Sequence, residues 1–504
     1  MTLLDLLTHS AGRVPERPAF VFRERRMSYA DLQRGALDLA DRLLTLGVNP
    51  GERVVLMLPN VPEFGLGYFG ILAAGGTVVP LNPLLKAEEV RYVLEDSGAT
   101  AAVCLQASHL LLQEAGRDLG RRIRHVVLDA APGSPEASDL EAVPRSGHVP
   151  GVGLPKLGPE DVAACVYTSG TTGRPKGALL THRNLTANVE SFHEVLNLAE
   201  GEVFLAVLPL FHAYGGTVLL LEPLSVGATV VLEPRFVPDP VLRAIAEHRV
   251  SFFAAVPSMF AVLAKHPRPA ADFGAWRLCI SGGAPLPPPV LEAFEAKYGV
   301  PIYEGYGPTE CAPVLTVNPP GGMRKVGSVG PPIPRVELRI VDEQGQPVSR
   351  GEVGEIVARG PNVMRGYLNR PEETGEVLRD GWYYTGDLGR VDQDGYYYIV
   401  DRKKDLILVG GLNVYPREVE LVLAGHPAVA EAAVIGVPDP VRGEVPRGLV
   451  ILKDGQQVGA PALLQWCRQR LANYKVPRTI TIVPELPRTA TGKVLKAALR
   501  GRGE

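Results

Sequence analysis

The segment Tyr167-Thr168-Ser169-Gly170-Thr171-Thr172-Gly173-Arg174-Pro175-Lys176-Gly177 concentrates glycines, hydroxyls, one Arg and one Lys in a single loop. Backbone N–H groups, hydroxyls and positive charge gathered in this way suit a polyphosphate. The glycines let the backbone bend tightly and approach a ligand with no Cβ in the way. The spacing excludes a Walker A loop, which needs Gly, four residues and then Gly-Lys-Ser/Thr. Counting from Gly170, Pro175 stands where the second Gly should be. An ordinary Gly/Ser/Thr surface loop is the bland alternative, and the segments that follow weigh against it.

Leu208-Pro209-Leu210-Phe211-His212-Ala213-Tyr214-Gly215 sets His212 in a Pro/Gly-flanked loop, where function tends to reside, although a lone His beside aromatics is more often a packed core residue. Ser281-Gly282-Gly283-Ala284-Pro285 follows the strand-like Leu278-Cys279-Ile280 and reads equally well as a tight turn. Tyr303-Glu304-Gly305-Tyr306-Gly307-Pro308-Thr309-Glu310 combines aromatics, glycines and carboxylates. Trp382 to Gly389 carries Asp387, and Asp401-Arg402-Lys403-Lys404-Asp405 is a charge run of the kind that usually marks a solvated turn. Gly410-Gly411-Leu412-Asn413-Val414-Tyr415-Pro416 and Pro487-Arg488-Thr489-Ala490-Thr491-Gly492-Lys493-Val494 complete the set. An isolated Lys such as Lys493 is ordinarily a solvated surface residue, and only its surroundings promote it.

Taken together, these segments resemble the signatures of the adenylate-forming superfamily, which includes the acyl-CoA synthetases, the adenylation domains of peptide synthetases and the luciferases. The resemblance covers essentially the whole chain. Local sequence looks most like the bacterial medium- and long-chain fatty-acid–CoA ligases over Leu208–Gly215 and Cys279–Val290. Val437–Glu444 looks like CoA-using members in general. The resemblance implies ATP, Mg²⁺ and coenzyme A. It places the β- and γ-phosphates on Thr168, Ser169, Gly170, Thr171, Thr172, Gly173 and Lys176. It runs Gly282, Gly283 and Ala284 along the adenine and the acyl channel, with Glu304, Gly305, Tyr306 and Gly307 lining the nucleotide. Tyr306 would stack on adenine, Thr309 would contact the α-phosphate, and Glu310, with Thr171, would hold Mg²⁺. An aromatic face suits a purine, and a lone carboxylate suits a hard cation that bridges substrate phosphates. Asp387 would accept the ribose hydroxyls, Arg402 would contact ribose and phosphate, and His212 would lie near the substrate carboxylate. Lys493 would enter during adenylation, and Gly410 and Gly411 would admit the pantetheine arm of CoA.

The implied reaction has two steps. A carboxylic acid, expected to be a medium- or long-chain fatty acid, reacts with Mg·ATP to give acyl-AMP and pyrophosphate. The acyl group then passes to CoA as the domain beyond hinge residue Asp401 turns. Gly216-Thr217-Val218 and Gly282-Gly283-Ala284 are expected to leave room for a long chain. Four alternatives are weighed. An aryl- or short-chain acyl-CoA ligase is only weakly excluded, because the acyl pocket is built from dispersed residues. An acyl-AMP ligase loading a carrier protein is disfavoured by the lack of an obvious insertion. An amino-acid adenylating domain would place an Asp after Phe211, where this chain has His212. A non-catalytic acyl- or nucleotide-binding protein is disfavoured by the presence of Lys493, Glu310 and Asp387.

The elements that must position these residues are legible as alternating patterns. Tyr29 to Leu46 has helical spacing closed by Gly47, Arg53 to Leu58 is a short apolar strand, Glu88 to Asp96 is helical, and Ala101 to Leu105 is strand-like. Val162 to Val166 is a buried strand that delivers the phosphate loop. Such alternation predicts an α/β fold with mainly parallel sheets. Residues 131–160 read as a Pro/Gly/Ser-rich surface connection. After about residue 325 the texture turns to β, with Asp394-Gly395 marking a hairpin. The expected organisation is a large N-terminal domain of mixed α/β sheets with a β-rich subdomain over 1–400, and a small mobile α+β domain over 401–504.

Phe64 to Leu85 is long enough to span a membrane, but its five glycines, two prolines and Asn82 predict a buried helix, a Gly75-Gly76 turn and a strand. Val203 to Leu221, broken by Pro209 and Gly215-Gly216, predicts a strand and a loop. The net charge of −3 offers no basic field for nucleic acid. Five scattered cysteines without C-x-x-C indicate neither a disulfide framework nor a zinc site. With no basic region at the N-terminus, the expected location is the cytoplasm. Peripheral membrane contact and a homodimer stay open.

Overall fold

Strands buried on both faces need continuous apolar runs, and crossovers between parallel strands need helices. Arg53–Met57, Thr77–Pro80 and Ala101–Cys104 meet the first condition and pair in parallel. Helices Pro62–Ala73 and Ala87–Ser97 meet the second. The computed structural model describes residues 1–117, 119–129, 153–168, 174–488 and 494–500. The expected surface connection is described only from residue 153, and the rest of it lies outside the described residues.

The chain divides into two compact units, Met1–Glu337 with Ala358–Tyr383, and Leu338–Val357 with Tyr384–Glu504. The grouping assigns β segments before residue 400 to the same unit as the C-terminal part.

The first unit holds two sheets. The seven-stranded sheet runs in the order Gly366–Tyr367, Lys176–Thr181, Val162–Thr168, Thr77–Pro80, Arg53–Met57, Ala101–Cys104, Arg124–Val127. The eight-stranded sheet runs Thr316–Val317, Ile302–Tyr306, Leu278–Ser281, Phe252–Ala255, Val203–Ala206, Thr229–Leu232, Pro18–Phe22, Arg25–Ser28. Its interior pairs are parallel and its two terminal pairs antiparallel. Helix Tyr29–Thr45 begins at a Ser28/Asp31 capping box and ends before Gly47, whose φ is +83°.

The apolar stretch from Phe64 is the almost fully buried helix Pro62–Ala73, followed by the turn at Gly75 and the strand Thr77–Pro80. Its glycines explain the burial. A Cβ at Gly65 would lie 2.5 Å from the Phe20 ring, and one at Gly67 would lie 2.5 Å from Leu56. Phe20 belongs to the eight-stranded sheet and Leu56 to the seven-stranded one, so this helix is packed against both. Among the described residues no helix is long and apolar enough to cross a membrane.

One expectation fails. After the strand Val203–Ala206, the stretch to Leu221 is not a loop. It forms a helical turn Ala213–Gly216 and a π-helical segment Thr217–Leu221, continued by the helix Glu222–Val226. Gly215 read as a breaker, but it is a contact residue, because a Cβ there would come within 2.2 Å of the Pro209 carbonyl oxygen. Pro223 falls in the first turn of the helix Glu222–Val226.

Strands Trp382–Val391 and Tyr397–Arg402 form the hairpin expected at Asp394-Gly395, with Gly395 at φ +83°. A further sheet orders Leu412–Val414, Ile407–Val409, Gly443–Leu452 and Val429–Asp439, and Thr479–Ile482 joins Gly443–Leu452 in parallel. Val419 and Leu423 of helix Pro416–Ala424 and Leu463 and Cys467 of helix Ala460–Arg468 pack into a core with Ile407, Val434 and Val450 of this sheet. All five cysteines are free and buried.

Candidate active site

Strand Ile302–Tyr306 delivers Glu304, Gly305 and Tyr306 to its C-terminal end, and a short 3₁₀ turn, Thr309–Cys311, follows. Tyr306 and Thr309 are half-buried, whereas Glu304 and Glu310 are buried. The Glu304 carboxylate accepts the Leu286 backbone N–H at 3.0 Å, and its carbonyl accepts the Asn318 N–H at 2.9 Å. Glu304 therefore ties the strand to the chain just beyond Gly282-Gly283-Ala284. Gly307 has a steric cause: a Cβ there would lie 1.7 Å from the Pro313 carbonyl oxygen. The Glu310 carboxylate accepts the Tyr367 hydroxyl at 2.7 Å, and the Glu310 carbonyl accepts the Met364 N–H at 2.7 Å. Burial first, and then the Glu310 charge, hold the Tyr367 phenol well above its ordinary pKa, so it stays a proton donor to that carboxylate.

The stretch after Glu310 is clamped by buried polar side chains. Asn188 Nδ2 donates to the Val314 carbonyl at 2.7 Å, and Asn188 Oδ1 accepts the Val314 N–H at 3.2 Å. Asn362 Nδ2 donates to the Cys311 carbonyl at 2.8 Å and the Val314 carbonyl at 3.1 Å. The Thr217 hydroxyl donates to the Ala312 carbonyl at 3.0 Å. Neither Asn188 nor Asn362 lies in any of the motifs, and Thr217 is singled out only as a small residue expected to leave room for a chain. The signal available for Asn188 was its place among the buried Leu185, Val189 and Phe192 of helix His182–Leu196. Asn362 left no comparable signal.

His212 caps the helical turn Ala213–Gly216, and its Nδ1 accepts the Tyr214 N–H at 3.3 Å. The Tyr214 hydroxyl donates to the Ile280 carbonyl at 3.1 Å, and a Cβ at Gly282 would meet the Tyr214 ring at 3.1 Å. Tyr214 thus brings the His212 loop and the Gly282-Gly283-Ala284 loop together. Asn60, buried and also missed, holds the approach to His212, donating to Leu208 O at 2.9 Å and accepting from Leu210 N at 3.0 Å. Of the small residues expected to leave room for a long acyl chain, Gly216, Thr217, Val218 and Gly282 are buried or packed against neighbours, whereas Gly283 and Ala284 are exposed. Gly282 lies against Tyr214, a Cβ at Gly216 would meet Leu210 O at 3.1 Å, and Thr217 and Val218 are buried.

Strand Val162–Thr168 pairs antiparallel with strand Lys176–Thr181, so Thr168 and Lys176 are register partners. Lys176 Nζ is ion-paired with Glu373 and lies 5.4 Å from the Tyr367 ring centroid. Ser169, Gly170, Thr171, Thr172 and Gly173 lie outside the described residues, as does Lys493.

In the second unit, Asp387 on strand Trp382–Val391 and Arg402 on strand Tyr397–Arg402 are register partners, with Arg402 Nε 3.1 Å from Asp387 Oδ1. Asp401 is buried and accepts the Arg402 and Arg417 N–H groups, each at 2.8 Å. Burial still pushes its carboxyl above the usual range. Gly410 and Gly411, with φ of +57° and +84°, form the two-residue turn between Ile407–Val409 and Leu412–Val414. Both are exposed. Two successive positive φ values are the conformation such turns require.

A buried carboxylate with one oxygen held by a phenol fits Mg²⁺ that takes its remaining oxygen ligands from phosphates and water. Among the described residues no group of three or more His, Cys, Asp or Glu gathers into a protein cage for a metal. Glu310 therefore fits the ion only as one ligand among substrate oxygens.

Comparison with known proteins bears on the same residues. Residues 7–368 match the AMP-binding enzyme family, and residues 418–493 match the AMP-binding enzyme C-terminal domain. The chain is similar to the long-chain-fatty-acid–CoA ligase of Bacillus subtilis, at 38% identity over 99% of this chain and 94% of the relative. It is also similar to a feruloyl-CoA synthase of an Amycolatopsis species, at 42% identity over 94% of each. Its fold is similar to that of the O-succinylbenzoate coenzyme A synthetase of Bacillus subtilis in complex with ATP and magnesium ion. That likeness has a TM-score of 0.86 at 32% identity and covers 98% of both chains. The family match over 7–368 covers the segments that carry Thr168, Lys176, Tyr306 and Glu310, and the chain belongs to the AMP-binding enzyme family.

Proposed function

We propose that this protein is an ATP-dependent acid–CoA ligase. The observation that carries the proposal is that three full-length relatives acting on unlike acids share one acceptor, coenzyme A, in their names. In the first step a carboxylate oxygen attacks the α-phosphorus of ATP, the bond to the bridging oxygen breaks, and pyrophosphate leaves. In the second the CoA sulfur attacks the acyl carbon, AMP leaves, and the thiol proton goes to solvent or a phosphate oxygen. Most of such catalysis is positioning and charge stabilisation.

In this reading Thr168, Lys176 and the loop between them receive the β- and γ-phosphates. Tyr306 stacks on adenine, Thr309 meets the α-phosphate, and Asp387 and Arg402 hold ribose. Mg²⁺ at Glu310 and Thr171 would offset phosphate charge. His212 lies near the acid carboxylate, beside Gly282, Gly283 and Ala284. Lys493 stabilises the charge that develops in adenylation. Residues 401–504 then turn about Asp401, carrying Lys493 out and the Gly410-Gly411 turn in. The compartment is a reducing cytoplasm.

For the acid, our first reading is a medium- or long-chain fatty acid, supported by the long-chain relative that matches 99% of this chain. An aryl acid is the second reading, favoured by the Tyr214 ring lying against Gly282 and by the feruloyl relative. The test is pyrophosphate release with Mg·ATP across C2 to C18 acids and several aryl acids, with and without CoA. Turnover peaking at C8 to C18 and sustained only with CoA is the expected result. A peak on aryl acids transfers the assignment to the second reading, and release from no acid overturns the ligase.

A further inference from the structure

Lys176 is held by a chain of alternating charge that no motif marks. Its ammonium is ion-paired with Glu373 Oε2. Glu373 Oε1 lies 3.5 Å from Arg370 Nε. Arg370 Nη2 lies 2.7 Å from Asp96 Oδ1, and Asp96 Oδ2 accepts the Tyr167 hydroxyl at 2.8 Å. Asn369 Nδ2 also donates to the Asp96 carbonyl at 3.0 Å. Tyr167 lies on the strand that enters the phosphate loop and Lys176 on the strand that leaves it, and the register pairs Tyr167 with Gly177. The chain of side chains therefore closes into a ring across the base of the loop. Arg370 and Glu373 come from the segment around helix Pro371–Val377, and Asp96 comes from helix Ala87–Ser97.

Stability is a weak reason for such a ring. Ion pairs with partly exposed members contribute about 0–1 kcal/mol. The two cations and two anions sum to zero, so the ring adds no long-range pull on a nucleotide. What it does supply is orientation. A Lys on a flexible four-carbon stem has three N–H donors and considerable rotamer freedom. The ion pair with Glu373 keeps the ammonium 5.4 Å from the centroid of the Tyr367 ring, whose hydroxyl is bound to Glu310.

We infer that Glu373 is a positioning residue for ATP, presetting the Lys176 ammonium for the phosphates while Arg370 and Asp96 hold Glu373 in place. This rests on the ligase reading above. Removing the carboxylate lets Lys176 sample rotamers that point away from the phosphates, so both ATP affinity and the adenylation rate fall. The second half-reaction is spared, because pyrophosphate has left before CoA reacts.

The experiment measures Mg·ATP affinity by calorimetry, and each half-reaction separately, for wild type, Glu373→Ala and Arg370→Gln. For Glu373→Ala the expected result is ATP affinity weaker by about 10-fold and acyl-AMP formation slower by about 10- to 100-fold. Conversion of supplied acyl-AMP plus CoA should stay within about 2-fold of wild type, and Arg370→Gln should show the same split at smaller amplitude, about 3-fold. The intact second half-reaction serves as the check on folding. Equal losses in both half-reactions assign Glu373 a structural role and overturn the inference, as does unchanged ATP affinity with an unchanged first step. A wild-type protein that binds no Mg·ATP overturns the ligase reading and this inference with it, an outcome distinct from failure of the variant alone.

Discussion

Two glycine-bearing segments of the molecule are built on opposite principles. Around Gly307 the backbone is crowded and held from several directions, by Asn188, Asn362 and Thr217 through buried hydrogen bonds and by Tyr367 at the Glu310 carboxylate. At Gly410-Gly411 the turn is exposed, and a Cβ at either position would meet nothing within 4 Å. What ties it down is the strand pairing on either side and one backbone bond, from Gly410 N–H to the Arg442 carbonyl at 2.8 Å. The first glycine is required for space, the second pair for conformation. Segments with few buried contacts open at low free energy, whereas buried networks hold one geometry. In the proposed reaction that contrast matches the roles: a fixed frame for phosphate and metal in one unit, and an arriving turn in the other.

The sharpest division between the two regions comes from Lys493→Ala. It should slow acyl-AMP formation by about 10²- to 10³-fold while sparing conversion of supplied acyl-AMP with CoA. Equal loss in both half-reactions breaks the separation of roles. Next is Gly307→Ala. The added methyl meets a backbone carbonyl that cannot rotate away, and the cost is about 3 kcal/mol, read as a lower urea midpoint with loss of both half-reactions. Asn188→Ala and Asn362→Ala should each cost about 1–3 kcal/mol. Both amides donate to the carbonyls of Cys311 and Val314, so either one alone keeps those carbonyls partnered. The double variant should therefore lose more than the sum, with a coupling of about 0.5–3 kcal/mol in a double-mutant cycle. Strict additivity would show that the clamp is not one unit. The smallest effect on stability is expected for Gly410→Ala, about 1 kcal/mol for an Ala forced into the left-handed region. Its activity loss should fall on the CoA step alone. A Gly410→Ala variant as unstable as Gly307→Ala would erase the comparison.

Much of the frame was legible beforehand because its signals are local. Helix Tyr29–Thr45 has its cap and stop within its own sequence, and the hairpin at Asp394-Gly395 has its turn residues between its strands. The Phe64 stretch was recognised as buried, but not that its glycines admit Phe20 and Leu56 from two different sheets. The second half of Val203 to Leu221 is helical where a loop was expected, because Gly215 and Gly216 carry the same letters whether they break a helix or fit one against its neighbours.

What the sequence by itself determined is therefore whatever near neighbours along the chain can enforce. This includes the α/β alternation, the cap and stop of helix Tyr29–Thr45, the hairpin at Asp394-Gly395, and the motifs that place the chain in its family. Only the tertiary structure decided which side chains hold those motifs in place. Tyr367 reaches Glu310 across 57 positions, Asn188 reaches Val314 across 126, and Glu373 reaches Lys176 from a separate helix. Hydrogen bonds and ion pairs of this kind depend on which polar groups burial brings face to face, and no periodicity or spacing along the chain records that.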